Sequence, residues 1–479
     1  MSWFAFRHAV KTHPYLGPVG AIAGVLGVGV LVFGYNLGDI GLIDETEPLF
    51  AEAARQMVVT GDWIAPQFNN EPRFDKPPLV YWLMAIGYQI LGVNEWAVRL
   101  PSALSAIALM LLVFYTCWRF FPSDRGPEKF AFCAATLSSL NFLAIVWGRT
   151  GVSDMLLSGC MGGALLCFFL GYASSVGAVG AKGLRPRPRP FLENEKGSTP
   201  LTPTSNWYLL FYVLIGLAIL AKGPVGIVLP GLIVGSFLLY LGKFWEVVRE
   251  MKVWRGLLVI AAIAVPWYIL ITLSRGETYI DSFFGYHNFE RFTRVVNEHS
   301  APWYFYFAVV LLGFFPWSVY LPSAIVRLKF WQRRRWKQQP RSQHLGLFAF
   351  FWFAGIFLFF TVAATKLPSY VLPLIPAAAI LVALVLAETS NRDRAASPQE
   401  NRSLAIAHGF NIGVSLLLAI AFFTLPAWLG YDPAAPELDK VLPASGLMAG
   451  AGIVWGAIAA ICEFLLLSKQ TKWIGGVSW

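Results

Sequence analysis

Apolar residues in this chain gather into runs long enough to cross a bilayer core of ~30 Å. They fall at 16–36, 98–118, 130–148, 153–174, 207–221, 224–242, 256–273, 304–325, 345–364, 367–387, 404–427 and 443–467. Each run predicts a transmembrane helix, twelve in all. The run 207–221 is short and leads straight into Lys222, Gly223 and Pro224. A further apolar stretch, 78–92, is only about 15 residues, the length of a short span or of a helix lying in the membrane interface.

Lysine and arginine positions decide between those two readings. If 78–92 does not cross and the N-terminus is cytoplasmic, 26 of the 37 basic residues fall in cytoplasmic segments and 11 on the opposite face. That is a strong positive-inside bias. Letting 78–92 cross inverts every later loop, so it is expected as a re-entrant or interfacial helix on the outer face. Both termini are then cytoplasmic, and the first span is retained, since no small-x-small cleavage site follows it. The outer loops with content are 37–97, 274–303 and 428–442. The expected organisation is a catalytic core over 1–390 and a C-terminal pair of helices over 391–479, with no large soluble domain.

Composition agrees with a membrane protein. The chain is 57% hydrophobic and 13% charged, about half the charge of an ordinary soluble domain at roughly 25%. The net charge of +10 comes without a basic patch of soluble-fold periodicity, so no nucleic-acid partner is expected. The five cysteines sit in or beside apolar stretches with no CxxC, as buried apolar side chains do. In 182–190 the alternating prolines Pro186, Pro188 and Pro190 mark an exposed, extended inside loop. The Arg/Lys run at 327–337 is a lipid-facing anchor.

The polar residues of the outer face carry the chemistry. In the first loop Asp44, Glu45 and Glu47 precede a helical pattern near Pro48, where acids suit the helix dipole. They are either a cap on a surface helix or part of an acidic site beside the membrane. In Phe74–Trp82, Asp75 and Lys76 stand just before Pro77 and Pro78, and Tyr81–Trp82 suits the headgroup layer. Lys76 either snorkels or meets a lipid phosphate. Asp154 opens a span in "RTGVSDM", either as a cap with Ser153 or as a functional acid, with Arg149 its nearest basic neighbour in sequence. Lys222 lies between two apolar runs, and Lys366, with Tyr370 nearby, repeats the pattern. The loop 274–303 adds His287, Glu290, Arg291 and Arg294. Scattered acids and cations on one face suit an anionic lipid phosphate and a polar sugar. No GxGxxG, Walker A, HExxH or serine-elbow pattern sits in a suitable context. The rival class is a multispan transporter or flippase for lipid-linked sugars, but transporter sites lie near the midplane, and these residues do not.

At these residues the chain resembles a GT-C membrane glycosyltransferase. The kinship is to bacterial aminoarabinose transferases (ArnT) and, more distantly, to polyprenyl-phosphate-mannose protein mannosyltransferases. Six segments in family order carry it: "DETEPLFAEAARQMVVTGDWIAP", "FDKPPLVYW", "RTGVSDM", "LAKGPVGIVLP", the His287–Arg294 loop and "TKLPSYVLPLIPA". The resemblance implies an all-α polytopic GT-C fold of about 12 transmembrane helices. It implies a transferase of the bacterial inner membrane with its site facing the periplasm. Such an enzyme moves a sugar, such as 4-amino-4-deoxy-L-arabinose, from an isoprenyl (undecaprenyl) phosphate to a lipid A-like, glycan or protein acceptor, with inversion.

Residue by residue, the resemblance makes Asp44, Asp154 and Asp75 the catalytic acids. Asp75 stands where the aminoarabinose enzymes have glutamate. Lys76, Arg291 (or Arg294) and Lys366 are the expected phosphate cations. Glu45, Tyr81, Arg149, Lys222, His287 and Tyr370 complete the expected substrate site. Asp75 and His287 raise the question of a divalent metal at the outer rim, but two ligands do not make a site, and no cofactor is assigned. The aminoarabinose enzymes end in an outer soluble domain, whereas this sequence stops soon after Lys472, so sugar and acceptor stay open.

Overall fold

The structure, a computed structural model, describes residues 16–42, 46–69, 71–120, 127–175, 204–280, 283, 300–390, 398–428 and 437–467. These are almost entirely helical. The helices are α1 (Leu16–Gly34), α2 (Thr46–Thr60), α3 (Leu79–Leu91), α4 (Glu95–Phe120), α5 (Pro127–Ser139), α6 (Phe142–Gly148), α7 (Ser153–Ser174), α8 (Thr204–Lys222), α9 (Val225–Leu241), α10 (Phe244–Met251), α11 (Val253–Arg275), α12 (Glu277–Ile280), α13 (Phe305–Gly313), α14 (Leu321–Leu328), α15 (Arg333–Gln338), α16 (Leu345–Val362), α17 (Ile375–Ser390), α18 (Pro398–Thr424), α19 (Leu438–Ala444) and α20 (Leu447–Leu467). A two-residue antiparallel hairpin, β1 (Gln67–Phe68) and β2 (Glu71–Pro72), lies between α2 and α3.

Every expected apolar run contains helix, because apolar side chains compatible with helix leave no other way to satisfy the backbone in hydrocarbon. Among the described residues seven helices are long and apolar enough to cross, or up to nine if each of two bent pairs is one span. The remaining apolar helices are shorter. Two runs expected as single helices are broken. The run 130–148 bends by 66° between α5 and α6, where Asn141 accepts a hydrogen bond from Ala144 N at 3.0 Å and restarts the helix. The run 304–325 stops after Gly313, just before Pro316, which has no N–H to continue the ladder. Helix α3, 13 residues, is about 20 Å long at 1.5 Å per residue, short of the hydrocarbon thickness.

The chain divides into two compact units, residues 1–314 with 328–383, and residues 315–327 with 384–479. The first unit is centred on α7, whose residues from Met161 to Tyr172 are nearly all buried. It packs along α8 and α4. Helix α8 ends at Lys222 because Gly223 takes φ +84°, a left-handed stop, and Pro224 opens α9. A Cβ on Gly226 would lie 2.5 Å from the Ala218 carbonyl carbon, so only glycine lets α9 fold back this tightly against α8. In the second unit α18 and α20 pack along each other. Tyr320 Oη, His408 Nδ1 and Asn411 Nδ2 form a buried polar cluster there, at 3.0 and 3.2 Å, of the kind that fixes apolar helices against one another.

One buried ion pair anchors the first loop. Arg99 on α4 donates through Nε and Nη2 to both oxygens of Glu47 at 2.9 and 3.0 Å, and also to the carbonyls of Leu37, Ile40 and Gly41. Gly151 N donates to Glu47 Oε1 at 2.7 Å. Glu47, which the sequence left open between a helix cap and part of an acidic site, fastens α2 to α4 and to the turn before α7. Both side chains are under a tenth exposed. Glu47→Ala strands the guanidinium and is expected to cost about 3–5 kcal/mol, read as a lower unfolding midpoint in detergent, while Glu95→Ala at the start of α4 leaves the midpoint nearly unchanged.

Candidate active site

Three turns of the first unit bring polar groups to one cavity of about 230 Å³. The turn before α3 contributes Asp75 and Lys76, the α8–α9 junction contributes Lys222 and Pro224, and the turn 368–374 contributes Ser369 and Tyr370. The rest of the wall is apolar: Val225, Val228 and Leu229 of α9 face Phe359 and Phe360 of α16, and Phe283 closes one side. Polar groups therefore sit together against a hydrocarbon-like slot, as small-molecule sites usually do.

Asp154 occupies the first turn of α7, preceded by Val152, which provides no side-chain cap. Its Oδ1 accepts from Lys222 Nζ at 2.6 Å, and both side chains are about 15% exposed. Asp154 thus does not act simply as a cap, and its basic partner is not Arg149. Lys222 Nζ also lies 5.4 Å from the centroid of the Tyr370 ring, a cation–π arrangement. The Asp75 carboxylate takes two cations, Lys76 Nζ at 2.6 Å on Oδ1 and Arg73 Nη2 at 3.2 Å on Oδ2. Arg73 stacks over the Phe50 ring at 5.5 Å. Phe50 in turn stacks on Tyr81 with centroids 5.2 Å apart. Tyr81 is fully buried, so it supports the Arg73–Asp75 side of the site from behind.

Two of the expected site cations are engaged elsewhere. Arg149 donates to Val32 O and Asn36 O at 2.9 and 3.2 Å, closing the end of α1. Lys366 donates to Thr361 O and Ala363 O at 2.8 and 2.7 Å, closing the end of α16, with Tyr306 beside it at 5.6 Å. Burial pulls the Lys366 ammonium below the usual lysine range. Both positions follow a rule visible in sequence, since cations favour the unsatisfied carbonyls at helix C-termini. Asp44, Glu45, His287, Arg291 and Arg294 lie outside the described residues. Among the described residues no group of three His, Cys, Asp or Glu is placed to hold a metal. Sequence reasoning passed over Arg73, whose closeness to Asp75 was its one available signal, and Ser369.

Comparison with known proteins points the same way. A family model described as dolichyl-phosphate-mannose-protein mannosyltransferase matches residues 75–176, the stretch that holds Asp75, Lys76 and Asp154. The chain is 27% identical over 451 residues to an undecaprenyl phosphate-alpha-4-amino-4-deoxy-L-arabinose arabinosyl transferase of Proteus mirabilis, covering 94% of this chain and 72% of that protein. A transferase of the same name from Pseudomonas aeruginosa is 27% identical over 87% of this chain and 68% of its own length. Among solved structures, ArnT from Cupriavidus metallidurans bound to undecaprenyl phosphate superposes with a TM-score of 0.71 at 24% identity, covering 96% of this chain and 75% of that one. The chain is a glycosyltransferase that resembles ArnT in sequence and in fold. The likeness in fold extends over 96% of this chain.

Proposed function

We propose that this ArnT-like enzyme moves a sugar, in the first instance 4-amino-4-deoxy-L-arabinose, from an undecaprenyl or similar isoprenyl phosphate to a lipid A-like acceptor, with inversion at the anomeric carbon. The observation that carries this reading is the cavity itself: paired ions at one end and an apolar slot at the other match the two ends of an isoprenyl-phosphate sugar. The slot between α9 and α16 takes the first isoprene units, whose burial is worth about 25 cal/mol per Å². Lys76 meets the phosphate, which gains charge as the bond to the sugar breaks, and a fixed ammonium stabilises that gain. Asp154, held by Lys222, orients the sugar and balances positive charge developing at its anomeric carbon. A phosphate acceptor arrives already nucleophilic, whereas a hydroxyl acceptor needs a base, for which Asp44 is the candidate. Inversion means a single displacement with no sugar–enzyme bond.

The distribution of lysine and arginine supports a bacterial inner-membrane setting with this site on the periplasmic face. The test is incubation of purified protein with isoprenyl-phosphate-linked 4-amino-4-deoxy-L-arabinose and lipid A, reading products by mass spectrometry. Appearance of lipid A carrying one added sugar is expected. Release of carrier phosphate with no lipid A product, while a glycan or protein acceptor is modified, would move the acceptor assignment and leave the donor.

A further inference from the structure

Arg73 occupies a position that the transfer reaction as drawn above does not use. It leaves the hairpin at β2, its backbone N–H donating to Pro66 O at 2.7 Å, and its guanidinium reaches Asp75 Oδ2 at 3.2 Å while Lys76 holds Asp75 Oδ1 at 2.6 Å. The Arg73, Asp75 and Lys76 side chains are 17%, 17% and 11% exposed, so solvent screens them weakly. Phe50 beneath the guanidinium, backed by the buried Tyr81, keeps it in place. Lys222 and Asp154 are paired with each other.

The charge count of this group decides what it can bind. Among the described residues beside the cavity, Asp75–Lys76 and Asp154–Lys222 are two ion pairs whose charges cancel, and Arg73 adds one positive charge to them. Without Arg73, Asp75 would fix Lys76 in space and at the same time cancel most of the attraction it offers an anion. Arg73 removes that conflict. With a second cation on the same carboxylate, Asp75 still orients Lys76, and the described group carries one net positive charge. We infer that Arg73 is a positioning residue that sets the anion selectivity of the donor site, favouring the doubly charged free carrier phosphate over the singly charged sugar-linked carrier. This rests on the isoprenyl-phosphate reading above. The leaving group passes from one negative charge to two as the sugar departs, so a site tuned in this way attracts the product side of the reaction more strongly than the bound donor.

Coulomb energy scales with the product of the charges, so loss of one positive charge acts on a dianion with twice the logarithmic effect that it has on a monoanion. The experiment measures binding of undecaprenyl phosphate and of its singly charged methyl phosphodiester to the full-length protein in detergent, at pH 8, where a phosphate monoester with second pKa near 6 is a dianion. Arg73→Gln is expected to weaken the monoester about tenfold and the diester about threefold. Arg73→Met, which keeps the stacking on Phe50, repeats this, and Arg73→Lys returns both affinities to within about twofold of wild type. Lowering the pH through the monoester's second ionisation weakens its binding to wild type and does so less in Arg73→Gln. A purely structural Arg73 predicts equal losses for the two ligands and no rescue by lysine, and either result, or unchanged affinity in both charge-removing variants, overturns the inference. Failure of wild-type protein to bind either lipid, by contrast, overturns the donor reading itself.

Discussion

Asp154→Asn lowers the rate of sugar transfer by about 10²–10⁴-fold, the range for a group acting directly on the reacting centre, with little change in donor affinity. The amide keeps the size of the carboxylate and one acceptor for Lys222 Nζ, now 2.6 Å from Asp154 Oδ1, so the protein still folds and inserts. What is lost is negative charge near the anomeric carbon, an interaction that matters more in the transition state than in the bound donor. Lys222→Gln falls nearly as far, because it leaves Asp154 without its cation. The double variant is then no worse than the poorer single one, the signature of two residues that act as a unit. Initial rates at saturating donor, at matched protein amount, check this, and multiplicative losses in the double variant would show that the ion pair is not one functional element.

Lys76→Gln acts on the other half of the chemistry. A charge-assisted hydrogen bond is worth about 1.5–3 kcal/mol, or roughly 10–150-fold in affinity. The loss is expected in donor binding and in turnover together, because the phosphate needs the ammonium more as its charge grows. Asp75 keeps Arg73 as a partner, at 3.2 Å, which limits the cost to stability. Lys366→Gln provides the contrast. Its ammonium is bound to the carbonyls of Thr361 and Ala363, so it lowers the unfolding midpoint and leaves donor affinity within about twofold, well inside the tenfold of one lost charge-assisted bond. Donor titration of the two variants side by side distinguishes a phosphate ligand from a helix-end cation.

Hydropathy made the membrane fold legible, since long apolar runs in a chain this poor in charge have no alternative to helix. It did not show the breaks at Asn141 and Pro316, because a helix restart depends on one local cap or one missing N–H and not on mean polarity. Asp154, Lys222, Lys76 and Asp75 were each recognisable as charges with no apolar reason to be there. Their pairing was not, since Asp154 and Lys222 are 68 residues apart and meet only through the packing of α7 on α8. Charge at a helix end has two uses that look alike in sequence, closing carbonyls or facing a ligand. Arg149 and Lys366 do the first, whereas Lys222, at the helix end stopped by Gly223, lines the cavity and pairs with Asp154. Glu47 and Arg99 form the reverse case, where an acid of the first loop fastens the frame.

The most direct measurement is an experimental structure of the protein with undecaprenyl phosphate bound. The account predicts phosphate density within hydrogen-bond distance of Lys76 Nζ and the first isoprene units between α9 and α16, against Val225, Val228 and Phe360. Phosphate bound at the Lys366 end of α16 or at the basic run 333–337, with the cavity at Asp154 empty, would contradict it.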